Sequence, residues 1–335
     1  MKGKRRVYAF LLSLLCNLAF LGFFGADVAA ERVRTAIPQA NLNYLSIYVT
    51  EAKGFFKAEG IEHETVVIAG PTGTAALLSG DVDYSGAGGS GMRAATKGAP
   101  IKGIMFQTEK VTFYLVTEPS ITKVTDLKGK KIAVGTLGDT QDTLMTMFAE
   151  RGGLSARDII RIAMGPNTAT RLAAIKSGAA SATTMDPAGV VLSEKEGLRT
   201  MAYLGDLFPF PFQGFAVTDR KIADNPGQIK RWLRAMIKGL MYVRDNPEEA
   251  TEIGMKKLQL GNINKAMLLA SLKRYLKALP EGVPGLPSPE GIKNVLEYDI
   301  RIPMNIREEI PPEKVLSLKF VEEVKRELES IAPTR

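Results

Sequence analysis

The residue types best suited to chemistry in this chain are small and polar, and they recur in clusters: Gly70, Thr72, Gly73 and Thr74, then Gly89 and Ser90, Thr136, Asp139 and Thr140, Asn167 and Thr168, and Asp186. Each cluster follows a short apolar run and precedes a helical stretch. A helix N-terminus presents unpaired backbone N–H groups and a partial positive charge, and small residues let a solute approach it, so an anionic group is the natural guest. One terminus contributes roughly 0.3–1 kcal/mol. A micromolar dissociation constant needs about 8 kcal/mol, so several termini, hydroxyl donors and burial of the solute must combine. Serine or threonine ahead of a helix is also a common N-cap, and Asp139 and Asp186-Pro187 fit capping well. If Asp186 faces the cleft instead, it favours an amine or a hydroxyl. Tyr44 and Phe212 are the first aromatic candidates for stacking on a solute, ahead of Tyr114, Phe208 and Phe210, which core packing also explains; Trp232 reads as packing.

Catalytic patterns fare worse. His63, the single histidine, stands in Glu62-His63-Glu64 at the polar opening of a strand and reads as a solvated side chain. No histidine triad or multi-histidine metal site can be assembled from it. The run Ser85-Gly86-Ala87-Gly88-Gly89-Ser90 lacks the Gly-Lys-Ser/Thr ending of a P-loop and the full dinucleotide spacing. No carboxylate pair stands out. The chain therefore reads as a binding protein with no catalytic residue, metal or cofactor, an exported enzyme or a sensory module being the alternatives.

The elements that must position these loops alternate strand and helix. Strands are expected over 33–37, 65–69, 82–85, 101–107 and 113–117, with helices over 44–56, 72–79 and 90–97. The rhythm restarts after Glu118-Pro119 with strands over 132–134, 159–163 and 182–185 and a helix over 140–151. Gly70-Pro71 opens a helix that closes at Ser79-Gly80, and Gly165-Pro166 opens one that closes at Ser177-Gly178, so two similar lobes are expected, each built on a parallel sheet core. A last strand over 214–218 and helices over 228–245, 247–257, 264–279 and 289–299 return the chain to the first lobe. The expected division is residues 31–117 and 213–335 in the first lobe and 118–212 in the second, with crossings near 117–119 and 210–214 acting as a hinge.

The first thirty residues place Lys2, Lys4, Arg5 and Arg6 ahead of an apolar run and end in Val28-Ala29-Ala30, the pattern of a cleavable secretory leader. The one cysteine, Cys16, lies inside it, so the exported part has no disulfide, thiolate metal site or cysteine nucleophile. Setting the leader aside takes four basic residues and one acidic residue from 44 and 36, leaving a formal charge of about +5 with no concentrated run, which argues against nucleic-acid binding. A composition of 45% hydrophobic, 24% charged and 7% aromatic residues is that of an ordinary globular chain and excludes fibrous or disordered classes.

The segment from Tyr44 through Glu51-Ala52-Lys53-Gly54-Phe55-Phe56 to Glu59-Gly60-Ile61 resembles substrate-binding proteins of bacterial ABC importers, in the branch serving alkanesulfonates, nitrate and thiamine precursors. The resemblance continues through Leu78-Ser79-Gly80-Asp81-Val82-Asp83, Gly98-Ala99-Pro100-Ile101-Lys102 and residues 126–134. It implies a two-lobed α/β type II periplasmic binding protein fold whose lobes, each a mainly parallel sheet flanked by helices, close on a small solute. It further implies a monomer in the periplasm that delivers the solute to a membrane permease. On this resemblance Asn41, Tyr44, Gly70, Thr72, Ser90, Thr136, Asn167 and Asp186 line the cleft. An enzyme of the superfamily that makes the thiamine pyrimidine uses cysteine and histidine around iron, and porphobilinogen deaminase needs a cysteine for its cofactor; the exported part of this chain has no such cysteine.

Overall fold

The computed structural model describes residues 30–165 and 167–331; the proposed leader, Cys16 and Pro166 lie outside the described residues. Among the described residues, ten strands form two five-stranded sheets. The first is assembled from β1 (Glu31–Ile37), β2 (Ile61–Val67), β3 (Tyr84–Ser85), β4 (Ile101–Thr108) and β10 (Phe212–Thr218) in the order β2-β1-β3-β10-β4. The second contains β5 (Tyr114–Thr117), β6 (Lys131–Val134), β7 (Ile160–Ala163), β8 (Ala182–Met185) and β9 (Arg199–Tyr203) in the order β7-β6-β8-β5-β9. The two orders are the same pattern executed twice, which is the repetition that the Gly-Pro and Ser-Gly punctuation announces.

Two expectations need correcting. The strand over 113–117 belongs to the second sheet: β5 pairs antiparallel with both β8 and β9, so the chain changes sheets between Thr108 and Tyr114. The sheets are also mixed. β1 runs parallel to β3, and β6 parallel to β7 and β8, but β10 opposes β3 and β4 just as β5 opposes its neighbours. The opposed strand in each sheet is the one that has just crossed over, because a chain arriving from the other lobe enters the sheet from the far end. β9 had no expected counterpart; its Arg199-Thr-Met-Ala-Tyr203 sequence is only half-buried and lacks a clear alternation.

Helices α1 (Leu45–Ala52), α2 (Phe55–Ala58), α3 (Gly70–Ser79), α4 (Gly88–Thr96), α5 (Thr140–Arg151), α6 (Thr168–Lys176) and α7 (Pro187–Lys195) follow the strands. The expected helix over 44–56 is broken at Gly54, whose φ of 70° is left-handed and stops α1 from continuing. Gly80, at φ 86°, ends α3 in the same way, with its N–H donating to the Leu77 carbonyl. After β10 come α8 (Asp219–Asp224), α9 (Pro226–Asp245), α10 (Pro247–Lys257), α11 (Lys265–Tyr275), α12 (Pro289–Val295), α13 (Pro312–Val315) and α14 (Lys319–Ile331). A π-helical segment, Leu296–Arg301, continues α12 and points one of its residues at the cleft.

The main core lies between the first sheet and helices α1, α9, α11 and α14. Trp232 is fully buried there, stacked on Tyr84 with ring centroids 4.2 Å apart. A second apolar cluster joins Met92 and Phe106 of the first lobe to Leu115, Ile132 and Leu144 of the second and to Leu296 and Ile300 of the π-helical segment. The lobes therefore share buried surface.

Candidate functional site

In open α/β sheets solutes bind outside the carboxyl ends of the strands, and the loops found there are those that carry the small polar clusters. Pro38 follows β1, Gly70 follows β2, Gly86 to Ser90 follow β3, Thr140 follows the loop after β6, and residues 210–214 lead back into β10. Together with Asp299 of the π-helical segment they line a half-open cavity of about 190 Å³. This is below the range of roughly 300–1,000 Å³ typical of drug-sized ligands, so it suits a small solute.

Two glycines let the walls approach. A Cβ on Gly88 would lie 2.5 Å from the Gly214 carbonyl oxygen, so only glycine allows the first residue of α4 to touch β10. A Cβ on Gly86 would lie 2.9 Å from the Tyr44 ring. Tyr44 is buried, and its hydroxyl donates to the Gly86 carbonyl at 2.9 Å; burial pushes the phenol far above its ordinary range, so it stays a neutral donor. No side chain caps α4, whose N-terminal N–H groups open on the cavity beside the Ser90 hydroxyl.

A polar bridge between the lobes forms part of the cavity wall. Asp299 accepts from Arg93 Nη1 at 3.1 Å and from the Thr140 hydroxyl at 2.5 Å. Thr140 is the first residue of α5 in the second lobe, whereas Arg93 lies on α4 in the first. Desolvation raises the Asp299 carboxyl, with Arg93 and Thr140 acting against it. The guanidinium is thus already engaged by a carboxylate of the same wall.

The sequence-predicted residues divide in two. Tyr44, Gly70, Gly89, Ser90, Thr140 and Phe212 line the cavity, as does Phe210. The others sit elsewhere. Asn41 caps a short 3₁₀ turn through Asn43 N–H, and Thr72 is exposed on α3. Gly73 packs under Ser85 and the Ile68 carbonyl. Thr136 is exposed, and its N–H donates to Asp139, which also caps α5 through Asp142 N–H. Asn167 caps α6 through Ala169 and Thr170, leaving Thr168 as the first helical residue, packed near Gly189. Asp186 caps α7 through Gly189 N–H at 2.7 Å; desolvation raises its carboxyl, while Gly189, Arg171 and Ala188 act in the opposite sense. Tyr114 and Phe208 pack outside the cavity, Tyr114 donating to the Arg274 carbonyl.

His63 is a correction. Its side chain is 1% exposed, stacked on Phe56 at 3.8 Å, with Nδ1 2.8 Å from Glu51 and Nε2 2.8 Å from Thr35. Trp232 donates to the same Thr35 hydroxyl at 3.3 Å. The strand places Glu62 and Glu64 outward and His63 inward, so the flanking charges misled the sequence reading. The fully buried Thr35 offers no access to a substrate, and the network ties the edge of the first sheet to α1 and α9.

Sequence reasoning missed Gln213, Arg93 and Asp299. Gln213 is a glutamine at φ 57°, 6% exposed, whose Nε2 has no hydrogen-bond partner. Its only sequence signal is its place beside Phe212 at the second crossing; Asp299 gave none, because it reaches the cleft from far along the chain beyond that crossing.

A family model described as "NMT1/THI5 like" matches residues 41–250, more than half of the chain. The riboflavin-binding protein RibY of Chloroflexus aurantiacus is 26% identical over 244 residues, which cover 67% of this chain and 66% of that protein. Among solved structures, the periplasmic aliphatic sulphonate binding protein SsuA of Escherichia coli superposes with a TM-score of 0.69 at 18% identity, covering 86% of this chain and 92% of that one. The desulfurization enzyme DSZB superposes with a TM-score of 0.62 at 14% identity, covering 89% and 99%. At such identities these two structures establish the two-lobed fold alone, a fold that serves a binding protein and an enzyme.

Proposed function

Because the chain belongs to the NMT1/THI5-like family, we propose that it is the solute-binding component of an ABC import system, exported to the periplasm by its leader. It captures a small solute bearing acceptor oxygens, such as a carboxylate, a sulfonate or the carbonyl edge of a heterocycle. The lobes close around the solute and present it to a membrane permease. The observation that carries this reading is the 190 Å³ cavity between the lobes, walled by Tyr44, Phe210 and Phe212 and fed by the uncapped N-terminus of α4 and the Ser90 hydroxyl. Binding rather than catalysis is supported by the curated relative at 26% identity, which is described as a riboflavin-binding protein. A solute that touches both lobes selects a closed arrangement, to which the hydrogen bond from Thr140 to Asp299 across the cleft adds.

Thermal unfolding of the exported chain against aliphatic and aromatic sulfonates, carboxylates, nitrate, pyrimidines and riboflavin tests the reading. A true ligand at a hundred times its dissociation constant adds about 2.7 kcal/mol. No stabilisation by any member of the panel overturns it.

A further inference from the structure

We propose that Arg93 and Asp299 together determine the specificity of this cleft, taking a solute of no net charge that presents an N–H and a carbonyl oxygen side by side, as a primary amide or the edge of a lactam does. The inference rests on the solute-binding reading and narrows its solute class. Among the described residues these two are the only charged side chains lining the cavity, and their charges cancel. Arg93 Nη1 lies 3.1 Å from Asp299 Oδ2 and 3.2 Å from the Asp299 backbone carbonyl, while the Thr140 hydroxyl donates to Oδ1. Neither head group is used up. Arg93 Nη2 has no hydrogen-bond partner among the described residues, the two side chains keep 39% and 13% of their surface exposed, and each carboxylate oxygen accepts more than one hydrogen bond. Gly89, also in the cavity wall, keeps both heads uncovered: a Cβ there would lie 3.1 Å from Asp299 Oδ2 and 3.6 Å from Arg93 Nη2.

Asp299 stands on a π-helical turn, a rare form that recurs at functional sites. The turn's other charged residues, Glu297 and Arg301, pair with each other, so Asp299 alone is given to the cleft. The balance of charge chooses the solute. An anion would set a second negative charge against Asp299, on which Asp139 already acts in the same sense. A cation would do the same against Arg93. In a partly desolvated cleft an uncompensated charge costs more than one hydrogen bond returns. A carboxylate only accepts and a guanidinium only donates, so the matched solute offers one donor to Asp299 Oδ2 and one acceptor to Arg93 Nη2. An amide edge carries both and adds no charge.

Isothermal titration of the exported chain with isosteric sets tests this: benzamide, benzoate and benzamidine, the matching pyridine-3 derivatives, and acetamide, acetate and acetamidine, each against the wild type, Asp299→Asn and Arg93→Met. Within the set that binds best, the wild type is expected to hold the amide about tenfold or more tighter than the acid or the amidine. Asp299→Asn leaves a positive wall and is expected to move the acid-to-amide ratio about tenfold toward the acid, whereas Arg93→Met leaves a negative wall and moves selectivity toward the amidine. A merely structural role for the pair weakens all members of a set together and moves no ratio, which overturns the assignment. A wild type that prefers the acid or the amidine also overturns it and leaves the solute-binding reading standing. Binding of none of these probes overturns the assignment too, and the solute-binding reading falls with it only if the wider thermal panel gives no stabilisation.

Discussion

At the scale of single residues, the structure separates hydroxyls and carboxylates that cap helices from those that face the cleft. Asp186 is a cap whose carboxyl is raised by desolvation, so its sign is opposite to that of a salt-bridged aspartate. Its folded form holds the proton more tightly than the unfolded chain does. Its contribution is therefore most favourable below the unfolded value near 4 and declines as pH rises through the raised folded value. Asp186→Asn keeps the acceptor for Gly189 N–H and removes the buried charge, so this variant is expected to lose that part of the pH dependence. Asp186→Ala is expected to cost about 1 kcal/mol through the lost cap. Denaturant titrations from pH 4 to 8 check both. His63→Ala removes the ring stacked on Phe56 and strands Glu51 and Thr35, for an expected loss of about 2 kcal/mol or more. Solute affinity should be unchanged, because this network lies outside the cleft; a change in affinity measured by calorimetry would contradict the placement.

At the scale of elements, the contact between α4 and β10 matters most to the cleft. Helix α4 can bring its open N-terminus to the cavity only because Gly88 has no side chain where the Gly214 carbonyl passes. Gly88→Ala is expected to force the two apart, at a cost of about 1–3 kcal/mol from overpacking. It should abolish binding as well, which separates it from an ordinary core defect. Trp232 on α9 supplies the contrasting case. It is fully buried against Tyr84 and Phe215 at the centre of the first lobe. Trp232→Ala is expected to cost about 3–5 kcal/mol, seen as a fall in Tm of roughly 10 °C, with affinity retained in the folded fraction.

At the scale of the whole molecule, two sheets of one pattern exchange a strand at each crossing, and the polar bridge from Arg93 through Asp299 to Thr140 spans the gap between them. A hydrogen bond to a charged group contributes about 1.5–3 kcal/mol, and about 1.4 kcal/mol is tenfold in an equilibrium. Thr140→Val is therefore expected to lower the closed-to-open ratio at least tenfold, with a larger radius of gyration in solution scattering without solute and compaction restored when solute is added. An unchanged radius in the variant would show that other contacts, such as the shared apolar cluster and the Arg274–Glu194 ion pair, hold the lobes together.

The two-lobed fold and the order of most elements were legible in the sequence, because they follow from local rules. Gly80 and Gly178 stop helices through their left-handed backbone, Pro71 and Pro187 start them, and β-branched runs mark strands. The partners brought together from far along the chain were not legible. Whether Tyr114–Thr117 joins the first or the second sheet depends on which edge offers unpaired backbone, which adjacent residues do not encode. Asp299 meets Thr140 from 159 positions away, and His63 is buried because of the Phe56 and Thr35 beneath it rather than the glutamates beside it. Local propensity chose the loops; long-range packing chose which of their side chains cap a helix and which line the cavity.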